Sequence, residues 1–259
     1  MADRRKQRAA DAHSAAIDDS TSHASSAAPP VYAHLPPATR IEFFSDAVFA
    51  FSATLLVVAL EVPHSYPELE RTLWGFVGFA LSFLALALIW SWHHAYFRRY
   101  QLADRATIAL NSMLLFVVLF YVYPLKFMTT SLADVVIGLH PERKNEMFRS
   151  MDDVGRMFVV YGLGFFAVFA VFSLLYMHAA RSAPTLRLTP WQLHEARMLQ
   201  RHYLLMAGVG ALSVVLAAAK IGVYYGVPGC VYVLIGPISW WHGTWSERRA
   251  PANPAATAA

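Results

Sequence analysis

An arginine, a serine and an aspartate enter an otherwise apolar stretch early in this chain, in the run Arg40-Ile41-Glu42-Phe43-Phe44-Ser45-Asp46 and the apolar residues that follow it to Leu60. Ionisable groups in such surroundings cost several kcal/mol unless they are partnered, so they mark a polar network or an ion pathway. Arg40 and Asp46 are separated by about 120° around a helix and do not face each other. Their partners must come from elsewhere. Trp90, His93 and His94 stand at i, i+3 and i+4, which puts them on one helical face. Asn111 lies at the start of the next apolar run, at the same depth. A polar knot joining three helices would satisfy all of these groups. On these residues alone the knot either only holds helices together or takes a direct part in gating or proton sensing.

The elements that position these residues follow from composition. Hydrophobic residues make up 57% of the 259 and charged residues 15%, against about 45–50% and about 25% in soluble domains. That balance excludes a soluble enzyme and indicates an all-α, polytopic membrane protein. Six apolar runs have the length of about 20 residues that a bilayer crossing needs: 41–62, 73–97, 107–127, 154–177, 203–225 and 227–245. The last two are parted only by Gly226 and Pro228, but together they far exceed one crossing.

Lysine and arginine set the orientation, because basic loops resist translocation. With the N-terminus inside, 14 of the 21 basic residues fall on the cytoplasmic side. Both termini are therefore expected in the cytoplasm of a multi-pass cell-membrane protein. The expected organisation is a polar, disordered tail over 1–38, a transmembrane domain over 39–246 and a cytoplasmic tail over 247–259. The first tail lacks the apolar core of a secretory signal, and its composition suits disorder. Topology accounts for the net charge of +4, and nothing calls for nucleic acid.

Other chemistry finds little support. Cys230 is the single cysteine, expected to be a buried, inert thiol, and it allows no intrachain disulfide. The eleven histidines form no HExxH or similar ligand motif, so neither a metal nor a cofactor is expected. Nucleophile elbow, phosphate loop and dinucleotide turn are missing, and an enzyme is not expected. There is no voltage-sensing arginine repeat and no TVGYG filter loop.

A second pattern lies deeper in the first run. Phe51, Leu55 and Val58 stand at i, i+4 and i+7, a narrow stripe with Thr54 beside it at about 60°. Such a stripe packs against lipid or neighbouring helices, or it lines a pore. The residues themselves leave a channel, a transporter or a non-conducting scaffold open.

The motif R-x-x-x-F-S-D at Arg40, Phe44, Ser45 and Asp46 resembles the signature of the transmembrane protein 175 family, the lysosomal potassium channel of animals and its prokaryotic relatives. The similarity continues through Trp90-Ser-Trp-His93-His94-Ala-Tyr-Phe97, Asp104, Asn111-Ser-Met-Leu-Leu and Pro124, over roughly residues 40 to 130. The resemblance implies six transmembrane helices per subunit, with Pro124 closing the third, and, from the single motif, a homotetramer in the lipid bilayer. The first helices would line a central pore permeable to potassium, with no carbonyl-loop filter. Mapped from the motif aspartate, the constriction falls on Phe51, a threonine layer that transiently meets potassium on Thr54, and further rings on Leu55 and Val58. Arg40, Phe44, Ser45, Asp46, Trp90, His93, His94 and Asn111 would form the structural polar network. The chain departs from the family pattern at Phe51, where isoleucine or leucine is usual, at Trp92, where many relatives have asparagine, and at Ala47, which replaces a glycine. The alternative reading is a secondary transporter or a non-conducting membrane scaffold; a transporter would show repeats or interrupted helices around a midplane site.

Overall fold

Hydrocarbon offers no hydrogen-bond partner to a backbone, so a chain this apolar must satisfy its peptide groups within its own segments. The computed structural model describes residues 40–58, 64–137 and 150–251, and they contain helices and no strand. The two tails up to 38 and beyond 251, and the end of the first apolar run at 59–62, lie outside the described residues. The helices are α1 (Arg40–Val58), α2 (Tyr66–Tyr100), α3 (Arg105–Ile137), α4 (Met151–Arg181), the short α5 (Ala183–Leu186), α6 (Pro190–Ala218), the short α7 (Val227–Cys230) and α8 (Ile235–Glu247). Tighter 3₁₀ turns occupy Val223–Tyr225 and Val231–Leu234. Among the described residues five stretches are long and apolar enough to cross a membrane: Arg40–Val58, Phe76–Tyr100, Arg105–Ala133, Met151–Arg181 and Pro190–Ala218.

α3 is the centre of the bundle, in contact with α1, α2 and α4. α4 and α6 pack along most of their lengths, and the C-terminal pieces rest on α6. The core between them holds Tyr96, Phe97, Leu114, Val118, Phe172, Leu175 and Tyr176, all essentially inaccessible. Within a membrane such contacts hold by close packing, because lipid tails are as apolar as leucine. Gly164 on α4 illustrates the closeness: a Cβ placed there would lie 2.1 Å from the Tyr121 ring of α3.

Several boundaries differ from those expected. α3 continues to Ile137, and Pro124 lies inside it instead of closing it. A proline is tolerated in a membrane helix where neighbouring helices support the interrupted ladder, and α3 is flanked by α1, α2 and α4. The fifth span starts at Pro190 and not near residue 203. Hydropathy misses its first three turns because they are charged. What starts them is a capping box in which Thr189 and Gln192 satisfy each other's backbone N–H, with Pro190 at the first helical position.

The expected break near Gly226 begins earlier. α6 ends in a Schellman arrangement, with Ile221 N–H donating to Leu216 O and Lys220 N–H to Ala217 O. Lys220 occupies the left-handed position there, φ 57°, while its Nζ donates to Asp152 Oδ1 at 2.8 Å. Gly222 and Gly226 also have positive φ, the conformation glycine adopts without steric cost. From Val227 to Glu247 the path is again helical, and residues 230, 231, 234 and 235 at its internal joints keep right-handed dihedrals. Cys230, expected to be buried, is exposed on this stretch, because Pro228 and Val231 take its buried face.

Gly164→Val is expected to displace the Tyr121 ring and destabilise the α3–α4 contact by about 1–3 kcal/mol, the usual cost of overpacking. A lowered melting temperature of the purified protein in detergent checks it.

Candidate functional site

α1 has two faces. Ser45, Phe49, Ser52 and Leu56 are buried, a spacing of i, i+4, i+7 and i+11 that keeps them on one side of a helix, and this side meets α2 and α3. The serine hydroxyls on that face donate back to the turn before them, Ser45 Oγ to Ile41 O at 2.8 Å and Ser52 Oγ to Val48 O at 2.9 Å.

Ser45 then accepts from α3. Asn111 Nδ2 donates to Ser45 Oγ at 2.9 Å, and Asn111 Oδ1 accepts from His93 Nε2 of α2 at 2.8 Å. All three side chains are buried. Because the amide oxygen can only accept, His93 carries its proton on Nε2 here. The imidazole is held between Phe49 and Phe97, with ring centroids 5.4 and 4.7 Å away. One amide thus ties α1, α2 and α3 together.

Asp46 points elsewhere. Its Oδ1 accepts from Trp90 Nε1 at 2.8 Å, and the His94 ring stacks on Trp90 with centroids 5.7 Å apart. Asp46, Trp90 and His94 are all exposed in the single chain. The one knot expected from the sequence is therefore two: a buried Ser45–Asn111–His93 chain and an outer Asp46–Trp90–His94 cluster. Arg40 is exposed at the first residue of α1 and Phe44 is exposed on its outer side. Trp92 belongs to neither cluster. It turns to Phe169 and Tyr203, with centroids 5.6 and 6.2 Å away, where an asparagine would find aromatic neighbours and not the knot.

The outer face of α1 carries Phe44, Phe51 and Val58 at intervals of seven, with Ala47, Ala50 and Thr54 among them, all exposed. Phe51 and Val58 are 57% and 72% accessible. Leu55 lies at the edge of this face, half-buried against the core. Thr54 Oγ1 donates to Ala50 O at 3.0 Å, which uses its proton internally and leaves oxygen lone pairs on the exposed side.

Three further contacts were not legible beforehand. Thr129 Oγ1 of α3 lies 2.6 Å from Ser82 Oγ and donates to Gly78 O of α2 at 2.9 Å. Lys126, near the end of the third apolar run, is inside α3 and donates to Leu56 O of α1 at 3.3 Å. Asp104 accepts from the backbone and hydroxyl of Thr107 at the start of α3 and pairs with His178 of α4 at 2.9 Å. Only the last had a signal, an aspartate three residues before a threonine at a helix start. Among the described residues no three His, Cys, Asp or Glu converge as metal ligands.

The sequence pattern described as the endosomal/lysosomal potassium channel TMEM175 matches residues 40–121, the stretch that holds both clusters. A curated potassium channel of Marivirga tractuosa is 37% identical over 69% of this chain and 74% of its own length. The chain belongs to the TMEM175 family. A second curated member, a potassium channel of Chamaesiphon minutus, is 31% identical over 76% of this chain and 91% of its own. Among solved structures, a variant of the potassium channel MtTMEM175, crystallised with a nanobody–MBP fusion, superposes with a TM-score of 0.75 at 32% identity, covering 83% of this chain and 96% of that one. The lysosomal potassium-selective channel TMEM175 homologue from Chamaesiphon minutus gives 0.50 at 28% identity, covering 78% and 96%. These are ion channels of the membrane, and the family is not one of enzymes.

Asn111→Leu is expected to leave the buried His93 Nε2 without a partner, at about 1–3 kcal/mol, while Ser45 keeps its bond to Ile41 O. Trp90→Phe, which opens only the outer contact, should cost about 1 kcal/mol or less; thermal melts of both variants rank them. The Thr107 hydrogen bonds, and then His178, hold the Asp104 carboxyl below the ordinary carboxylate range. A depressed carboxylate stabilises the fold above its unfolded pKa of about 3.9 and loses that contribution as pH falls through its folded value. Asp104→Asn should therefore flatten the acid side of a melting-temperature profile.

Proposed function

We propose that this TMEM175-family protein is a potassium-permeable channel in which α1 lines the conduction path. The observation that carries the reading is the asymmetry of α1. One side is locked to α2 and α3, and the other presents an unpartnered apolar stripe with a single hydroxyl layer. Four subunits meeting along that stripe form a homotetramer around a central pore, each contributing six transmembrane helices, the sixth being the helical path from Val227 to Glu247. The names of the curated relatives and of the superposing structures, all potassium channels, support the same function.

In this arrangement Phe51 forms the constriction, Thr54 the adjacent hydroxyl layer, and Leu55 and Val58 further apolar rings. A ring of bulky apolar side chains is a dewetting barrier, which an ion passes by partial dehydration or when the ring widens. Potassium sheds water more readily than sodium, so the barrier favours potassium, and the Thr54 lone pairs replace part of the lost hydration. Ser45, Asp46, Trp90, His93, His94 and Asn111 form the framework that holds α1 in register, while Arg40 and Phe44 stand exposed at the start of its outer side. No cofactor takes part. The distribution of basic residues supports both termini in the cytoplasm of a cell-membrane protein, with residues 39–246 as the channel domain between an N-terminal tail over 1–38 and a C-terminal tail over 247–259.

The test is ion flux into liposomes carrying the purified protein. Potassium flux above that of empty liposomes, larger than sodium flux, is expected. Phe51→Ala should raise flux and reduce discrimination, and Thr54→Val should reduce discrimination with the barrier intact. Absence of flux in the parent protein would leave a non-conducting scaffold, and a Phe51→Ala variant identical to the parent would move the constriction off Phe51.

A further inference from the structure

The end of the bundle that gathers the C-termini of α2, α4 and α8 with the N-termini of α3 and α6 carries a feature that the pore and its framework do not use. Arg99–Glu195, Asp104–His178 and His194–Ser246 contacts tie these ends together. Between α6 and α8 lies a cavity of about 350 Å³ whose walls include His194, Arg197, Arg201, His242, Trp245 and Ser246. Arg197 and Arg201 are one helical turn apart, on the same face, where like charges repel. Neither makes an ion pair among the described residues. The nearest acid along the helix, Glu195, is engaged by Arg99, and Glu247 is exposed and does not line the cavity.

The cavity also holds an orphan. His242 is 5% accessible, and its Nε2 is buried without a hydrogen-bond partner. Buried polar atoms without partners are rare and call for one. His194 cannot serve, since its Nε2 already meets the carbonyl and hydroxyl of Ser246, each at 3.2 Å. Arg249 and Arg201 lie 4.1 and 6.0 Å from the Trp245 ring, a stacking that holds a guanidinium while its in-plane N–H groups stay available. Two unpaired guanidinium groups and an unsatisfied imidazole nitrogen around one cavity fit an anion with several acceptor oxygens. The surroundings narrow the source. The cavity lies at the end of apolar helices, and Trp240 and Trp241 of α8 are exposed beside it, as tryptophans are at a headgroup boundary. Basic pockets between membrane helices take phospholipid headgroups.

We propose that the α6–α8 cavity binds the headgroup phosphate of an anionic glycerophospholipid through Arg197, Arg201 and His242. The proposal rests on the membrane reading but not on conduction, and its readout is lipid binding, so its failure is separable from an absence of flux. The full chain is delipidated in detergent and offered phosphatidylglycerol or phosphatidylcholine, with retained lipid counted by native mass spectrometry and melting temperature followed in parallel. Phosphatidylglycerol should be retained in preference and should raise the melting temperature. Arg197→Gln should lower that preference about fivefold, and Arg197→Gln/Arg201→Gln should abolish it, since a basic residue near an anionic headgroup contributes about 1 kcal/mol. Both arginines are exposed, and an unchanged melt in phosphatidylcholine establishes that the variants fold. Arg187→Gln removes the same charge at an exposed position outside the cavity and should leave the preference intact. Equal retention of the two lipids, or an Arg187→Gln loss as large as that of Arg197→Gln, overturns the proposal. Stabilisation by inorganic phosphate that phosphatidylglycerol does not compete away also overturns it, in favour of a free-anion site.

Discussion

A single carboxamide has two chemically different ends, and Asn111 uses both: it donates to a hydroxyl on α1 and accepts from an imidazole on α2 while standing on α3. Inside an apolar bundle neither end finds water, so each helix is held at the height and rotation that keeps both hydrogen bonds. The rest of the first three helices follows from that constraint. With Ser45 turned inward, Phe49, Ser52 and Leu56 follow on the same face, and Phe44, Phe51 and Val58 are left on the other. The outward presentation of the apolar stripe is the geometric complement of an inward hydrogen bond at its base.

At the far end, different contacts do a related job. Thr129 and Ser82 join α3 to α2, and Lys126 reaches a carbonyl near the end of α1. The α4–α6 pair has few such bonds and depends on close approach and on stacked aromatics, Phe169, Phe172 and Tyr176 against Tyr203. Trp92 joins that stack. α2 therefore carries a polar side for the first half of the chain and an aromatic side for the second.

Hydropathy and spacing disclosed most of the spans, because a crossing length of apolar residues admits few alternatives. They also pointed to Ser45, Asp46, Trp90, His93, His94 and Asn111 as groups needing partners near one end of α1, but Arg40, expected among them, stays exposed. They did not disclose that these divide into two clusters: His93 and His94 are adjacent in sequence but about 100° apart on a helix, enough to send one to Asn111 and the other to Trp90. Charge hid the start of α6, whose first turns are polar yet helical. Pro124 misled in the opposite direction, since a residue that ends helices in water is accommodated here by neighbours on three sides. Nothing in the spacing disclosed the partner of Lys126, whose long stem lets the ammonium reach a carbonyl of α1 from within its own helix.

The 3₁₀ turn at Val231–Leu234 acts as a phase adjuster. Four residues wound at about 120° each instead of about 100° advance everything after them by about 80°, and they add about 2 Å of rise. Every tryptophan of α8 is consequently aimed by this turn and not by the helix that carries it. Relaxing the turn into regular α-helix would swing Trp240, Trp241 and Trp245 round the axis together. Rotational aim and vertical position at that edge of the molecule are thus set by the same four residues.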